Sequence, residues 1–163
     1  MSEPPATDER AVRIVCEAFD PEGEIAAFRA AHAHAGAIAS FTGCVRGGET
    51  EALALEHYAD LTHRTIAGFV HEARARFDLM GVCIIHRVGR MAPGEAIVLV
   101  ACASAHRKDA LAAVDCLMDR LKTDAPFWKR EETGEERRWI EPRAEDVAAA
   151  RRWNDPASED GRS

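Results

Sequence analysis

Apolar positions along the chain follow two rhythms, one of period two and one near 3.6, and the switches between them mark the elements. Residues 12–19, "VRIVCEAF", read as a short strand. Residues 21–36 read as a helix, with a proline near the start, acids in the first turn and a glycine at the end. Residues 37–48, "AIASFTGCVRGG", read as a strand running into a Gly-Gly turn. Residues 51–58, "EALALEHY", alternate and are expected to return as the second arm of a hairpin. Leu61, Ile66, Phe69, Val70, Ala73 and Phe77 recur at helical spacing, so residues 60–81 predict a helix with one buried face. Residues 82–89 predict a strand, 91–95 a turn, and the unbroken apolar run 96–105 a central strand. A helix follows over 106–125, stopped by Pro126. "PFWKREE" and "RRWIEPR" flank "TGE" as a second hairpin, and 144–153 close with a short helix.

Strands and helices mix without strict alternation and hairpins are frequent, which favours α+β over a doubly wound sheet. There is no GxGxxG and no Walker loop. At 163 residues the chain fits one domain, expected over 11–153, with polar tails at 1–10 and 154–163. The net charge of -7 argues against nonspecific nucleic-acid binding but not against a local basic pocket. Five widely spaced cysteines, with no CxxC pair, fit a reducing compartment and offer no zinc set. No apolar signal region or membrane-length run is present, so a cytoplasmic protein is expected.

Three stretches have residue types that handle charge. "SAHRKD" (104–109) opens a helix with Ser104 as a cap, yet places His106, Arg107 and Lys108 in the first turn. Cations there oppose the helix dipole, and a bound anion would reverse that cost. The alternative is three solvated side chains. "FTGCVRGG" (41–48) puts Arg46 where a strand gives way to glycine, a place for close backbone approach or simply an exposed arginine. Cys44 is read as a small residue without a chemical role. "LKTDAPFWKRE" (121–131) carries Lys122 in a last helical turn, where the dipole alone explains a cation. Lys129 follows two aromatics on an extended segment, and a desolvated lysine there would lose charge and serve in proton transfer.

Arg107 and Lys122 are 15 residues apart on one predicted helix, roughly 22 Å along its axis. One small ligand does not reach both in the same copy. A homodimer with shared sites is therefore expected. The rival is a noncatalytic anion-binding module, which needs the basic pocket but no lysine of tuned basicity.

Taken in order, "FTGCVR", "LEHY", "IIHRVG", "PGEAIVLVACASAHR" and "LKTDAPFWKRE" resemble the large, catalytic subunit of molybdopterin synthase, over about residues 11–153. The resemblance implies an α/β-hammerhead fold with added antiparallel strands, and dimerisation. It also implies that each copy binds a small ubiquitin-like sulfur-carrier subunit, giving a heterotetramer. The carrier's C-terminal Gly-Gly thiocarboxylate would deliver sulfur to cyclic pyranopterin monophosphate, with no metal or other cofactor for this step. The family's catalytic lysines fall on Lys122 and Lys129, with the adjoining pair on Arg130 and Glu131. Substrate binding falls on Arg46, with Phe41 nearby, and on His106, Arg107 and Arg143, these last three as contributions from the partner subunit. The loop "GGETE" after Arg46 looks shorter than in some relatives.

Overall fold

The structure is a computed structural model that describes residues 6–154. Its elements are α1 (Ala6–Arg10), β1 (Val12–Val15), α2 (Pro21–Ala31), β2 (Ala37–Cys44), β3 (Ala52–His57), α3 (Ala59–Arg76), β4 (Gly81–Arg87), β5 (Gly89–Met91), β6 (Ala96–Ser104), α4 (Arg107–Thr123), β7 (Phe127–Thr133), β8 (Glu136–Ile140) and α5 (Ala144–Arg151). The strands form two four-stranded sheets, in the orders β1-β4-β6-β2 and β5-β3-β7-β8. Only the β1–β4 pair is parallel. The fold is α+β, as the mixed element order implies.

The first sheet is sandwiched between helices. On α4, Ala110, Ala113, Val114, Leu117 and Leu121 form the buried stripe, and Ile66, Phe69, Val70 and Ala73 do the same on α3. Both stripes meet Val98, Val100 and Cys102 of β6. The alternate residues Ala101 and Ala103 face Phe28 of α2 on the opposite side. Strand β6 is therefore buried on both faces, which explains its unbroken apolar run. Small alanines on the α2 side let that helix lie close.

The expected hairpin of β2 with β3 does not form. β2 pairs antiparallel with β6 in the first sheet, whereas β3 pairs with β5 and β7 in the second. The register of β2 shifts between Gly43 and Cys44. Val45 then leaves the ladder, exchanges backbone hydrogen bonds of 2.9 and 2.8 Å with Glu95 and Gly94, and buries its side chain with Leu53, Leu55 and Met91. Packing of that one valine commits the chain to the second sheet. The hairpin of β7 and β8 does form, turning at Gly134 with φ of 59°.

Further boundaries depart from expectation: β1 stops at Val15 and not at 19, and α3 stops at Arg76 and not at 81. Helix α2 ends at Ala31, because the His32 ring packs at a tilt against Phe28 with centroids 4.3 Å apart and its Nδ1 lies 2.9 Å from the Phe28 carbonyl. Residues 6–10 are helical where a tail is expected. Asp8 is buried and holds Arg74 at 2.9 Å and His71 at 3.1 Å, which ties α1 to α3. The rest of that tail, residues 1–5, and residues 155–163 lie outside the described residues.

Phe127 joins the two cores, packing against both the α3/α4 cluster and the Leu53/Leu55 cluster. It stacks on the buried His86 at 4.1 Å with the rings 21° apart. Burial pulls His86 down from 6.5 to about 4. The unfolded histidine takes a proton near pH 6.5 and the folded one resists to about 4. The neutral form's contribution is thus complete above pH 6.5 and is lost as pH falls toward 4, on the order of 3 kcal/mol in all. Urea unfolding across this window should show that loss, and His86→Phe should flatten it. An identical pH slope in the variant would contradict this account.

Candidate active site

The route from α4 into β7 positions the two lysines. Lys122 occupies the last turn of α4. The helix ends with Asp124 and Ala125 both donating to the Arg120 carbonyl, at 2.8 and 3.3 Å. Thr62 of α3 donates to the Pro126 carbonyl at 3.4 Å, and Phe127 then locks into the core. The chain therefore reverses from helix to strand within three residues. Strand alternation puts Lys129 and Glu131 on the face of Phe127, and Trp128 and Arg130 on the other. In register, Lys129 stands opposite Leu55 on one side and Ile140 on the other.

Lys129 is held below the ordinary lysine range. Desolvation of its amine is the largest cause, and the charges of Arg143, Lys122 and Arg46 act in the same direction. Glu131 opposes them. Although the residue as a whole is exposed, its amine is partly desolvated and feels the charge of three cations. Among the described residues, no carboxylate forms an ion pair with Arg46, Arg107, Lys129 or Arg143.

Lys122 has a partner that the sequence reading misses. Its Nζ lies 3.4 Å from Oδ1 of Asp146, in the first turn of α5. An acid there is what any helix favours, so the sequence carries no sign of a contact 24 residues away. Arg143, expected from a partner copy, instead acts on Lys129 within one chain. The β7–β8 hairpin returns the chain to this spot, and Arg143 is the N-cap residue of α5.

The remaining residues separate. Arg130 points to the opposite face, 3.6 Å from Glu56 and 3.4 Å from Glu132, with its guanidinium 5.7 Å from the Trp139 ring. It braces the second sheet and does not join Lys129. His106 and Arg107 are exposed at the far end of α4. Ser104 does not cap that helix: its hydroxyl donates to the Asp78 carbonyl at 2.7 Å and accepts from His106 N at 3.3 Å. A groove of about 480 Å³ runs along α4 and β2, lined by Phe41, Arg107 and Lys122 among others. Lys122 is the one residue shared by this groove and the cation cluster.

Fold and site together define a class: an α+β protein in which Arg46, Lys122 and Arg143 all act on one lysine held below its ordinary range, next to a groove along α4. The sequence model of the MoaE protein family matches residues 14–124, and the chain belongs to that family. The molybdopterin synthase catalytic subunit of Pseudomonas aeruginosa is 46% identical over 143 residues, covering 85% of this chain and 95% of that protein. Its Escherichia coli counterpart is 49% identical over 118 residues, covering 70% and 79%. Among solved structures, molybdopterin cofactor biosynthesis protein E from Burkholderia multivorans superposes with a TM-score of 0.76 at 44% identity, covering 90% of this chain and 98% of that one. Molybdopterin synthase from Staphylococcus aureus gives 0.71 at 30% identity, covering 78% and 95%.

The charge balance at Lys129 is open to direct test. Glu131 is the neighbour that raises its basicity, so Glu131→Gln should lower the pH at which the Lys129 ammonium titrates, followed by NMR of labelled lysine side chains. A rise on substitution would contradict this geometry.

Proposed function

We propose that this chain is the catalytic subunit of a molybdopterin synthase. It takes sulfur from the C-terminal thiocarboxylate of a small ubiquitin-like carrier and passes it to cyclic pyranopterin monophosphate, building the dithiolene of molybdopterin. The observation that carries this reading is the gathering of Arg46, Lys122 and Arg143 around a desolvated Lys129, in a chain of the MoaE family.

The chemistry asks for these residue types. The substrate has a phosphate and the carrier tail a second negative charge, so permanent cations bind and orient both. Arg46 and Arg143 keep their charge at any working pH. Attack by the thiocarboxylate sulfur forms a carbon–sulfur bond as a carbon–oxygen bond of the same substrate carbon breaks, its oxygen leaving on the phosphate or as water, and the new sulfur remains acylated by the carrier. Water must cleave that acyl–sulfur bond, releasing the carrier as carboxylate and leaving sulfur on the product. A lysine held below its usual range accepts the proton that water gives up, which is the role assigned to Lys129. Lys122, at the meeting of groove and cluster, sits beside the carrier tail. Phe41 and the groove along α4 lead from that point toward Arg107.

Arg107 and Lys122 share one unbroken α4, so the roughly 22 Å between them stands. We therefore assign His106 and Arg107 to the site of a second copy, with two carriers completing a heterotetramer. Arg130 and Glu131 adjoin the site: Arg130 supports the sheet, and Glu131 balances Lys129. All five cysteines are unpaired, and no helix among the described residues is long and apolar enough to cross a membrane, which supports a cytoplasmic setting.

The test is incubation with thiocarboxylated carrier and cyclic pyranopterin monophosphate, followed by detection of molybdopterin. The wild-type chain should form product. Lys122→Ala should lose transfer by roughly a hundredfold or more while retaining folding and carrier binding. Unchanged product formation by the variant would overturn the assignment.

A further inference from the structure

Helix α5 contributes to the site at one end and is fastened at the other. At its start, Arg143 acts on Lys129 and Asp146 meets Lys122. Just past its end, Arg152 contacts Asp115 at 2.6 Å and Asp119 at 2.9 Å. Trp153 donates from Nε1 to Asp119 at 2.6 Å. Its ring meets Phe77 edge-on at 6.0 Å, and the Arg76 guanidinium lies 5.0 Å from its centroid. Arg76 also donates to the Trp153 carbonyl at 2.9 Å. The fastening thus joins the far end of α5 to the end of α3 and to the second half of α4. Little else holds the helix, since Ala150 is its one buried side chain.

The proposed reaction needs Arg143 and Asp146 at fixed places, and near the lysines the ion pair of Lys122 with Asp146 at 3.4 Å, half exposed on the lysine side, is the polar tie to α5 among the described residues. Arg143 and Trp153 are ten residues apart, roughly 15 Å along the helix direction. The fastening has a second consequence. Asp115 and Asp119 line the same groove as Lys122, and Arg152 engages both carboxylates. Without it two bare acids would face an incoming anion.

We propose that α5 is a positioning arm: the Arg152–Trp153 clasp fixes its far end so that Arg143 stands against Lys129 and Asp146 against Lys122, making Trp153 a positioning residue for a site it does not touch. This rests on the sulfur-transfer reading above. The charged groups acting on Lys129 are Glu131 of β7, Lys122 of α4, Arg46 beyond β2 and Arg143 at α5. Only the last depends on the clasp. Loosening the arm removes one repelling cation and admits water, and both changes return the amine toward an ordinary lysine.

The experiment compares wild type, Trp153→Ala and Asp119→Asn in the complex with thiocarboxylated carrier. It follows product formation against pH and, separately, the Lys129 titration by side-chain NMR. In Trp153→Ala the Lys129 titration should rise by about half a pH unit or more, and the acid limb of the rate profile should move with it. Transfer at neutral pH should fall roughly three- to tenfold, with the α3/α4 core intact. Asp119→Asn, which weakens both anchors while keeping the tryptophan ring, should shift both in the same direction by less. Adding Arg143→Ala to Trp153→Ala should give little further shift, because both changes remove the same charge effect on Lys129. A slower Trp153→Ala enzyme with unmoved pH limb and unmoved Lys129 titration would reduce the clasp to a structural role and overturn the proposal. Asp119→Asn decides the same question if Trp153→Ala does not fold. Absence of product from the wild type would instead overturn the sulfur-transfer reading, whereas the NMR shift judges the clasp independently of turnover.

Discussion

Everything at the site depends on the lodging of Phe127 between two hydrophobic cores. That ring packs with the helices over the first sheet and with Leu53 and Leu55 of the second. It fixes the start of β7, and Lys129 lies two residues further along the same face. The same junction ends α4 at Thr123, one residue past Lys122. Two lysines from different kinds of element are thereby held together, although each taken alone has an ordinary structural explanation. Like charges brought this close are unfavourable when both amines are protonated. The molecule relieves this by easing the proton from Lys129 and by giving Lys122 a carboxylate partner in Asp146.

The two lysines therefore differ in surroundings. Lys129 is partly desolvated and feels the charges of Arg143, Lys122 and Arg46, while Lys122 is half exposed and faces an acid. Helix α5 contributes to both conditions through Arg143 and Asp146. A short element with one buried side chain thus acts on the charge of both lysines. The groove along α4 is lined by Lys122 near one end of the helix and by Arg107 at the other.

Much of this was legible in the residues, and the failures have physical causes. The amphipathic stripes of α3 and α4, the buried β6 and the hairpin after Phe127 follow from local periodicity and turn chemistry. The placing of Lys122 and Lys129 on either side of Pro126 follows from the same reading. The strand after Arg46 was misplaced because alternation specifies which face is buried but not which sheet is joined. Val45, with its bonds to Glu95 and Gly94, decides that, and those partners lie about fifty residues away. Arg143, Asp146 and the clasp at Arg152 and Trp153 are likewise long-range matters, so helix signals located α5 without revealing what it touches. Asp8 escaped because a polar, proline-containing start reads as a tail until its partner Arg74 is placed beside it.

The central claim is that Lys129 acts by shedding its proton, not merely by carrying charge. Lys129→Arg separates these possibilities, because arginine preserves the cation and does not become neutral in a protein. Single-turnover transfer from thiocarboxylated carrier to cyclic pyranopterin monophosphate, with substrate binding measured alongside, is the most direct measurement. The account predicts near-normal binding and transfer reduced roughly a hundredfold or more. Transfer within about twofold of wild type would contradict it, leaving Lys129 as one more charge in an anion pocket.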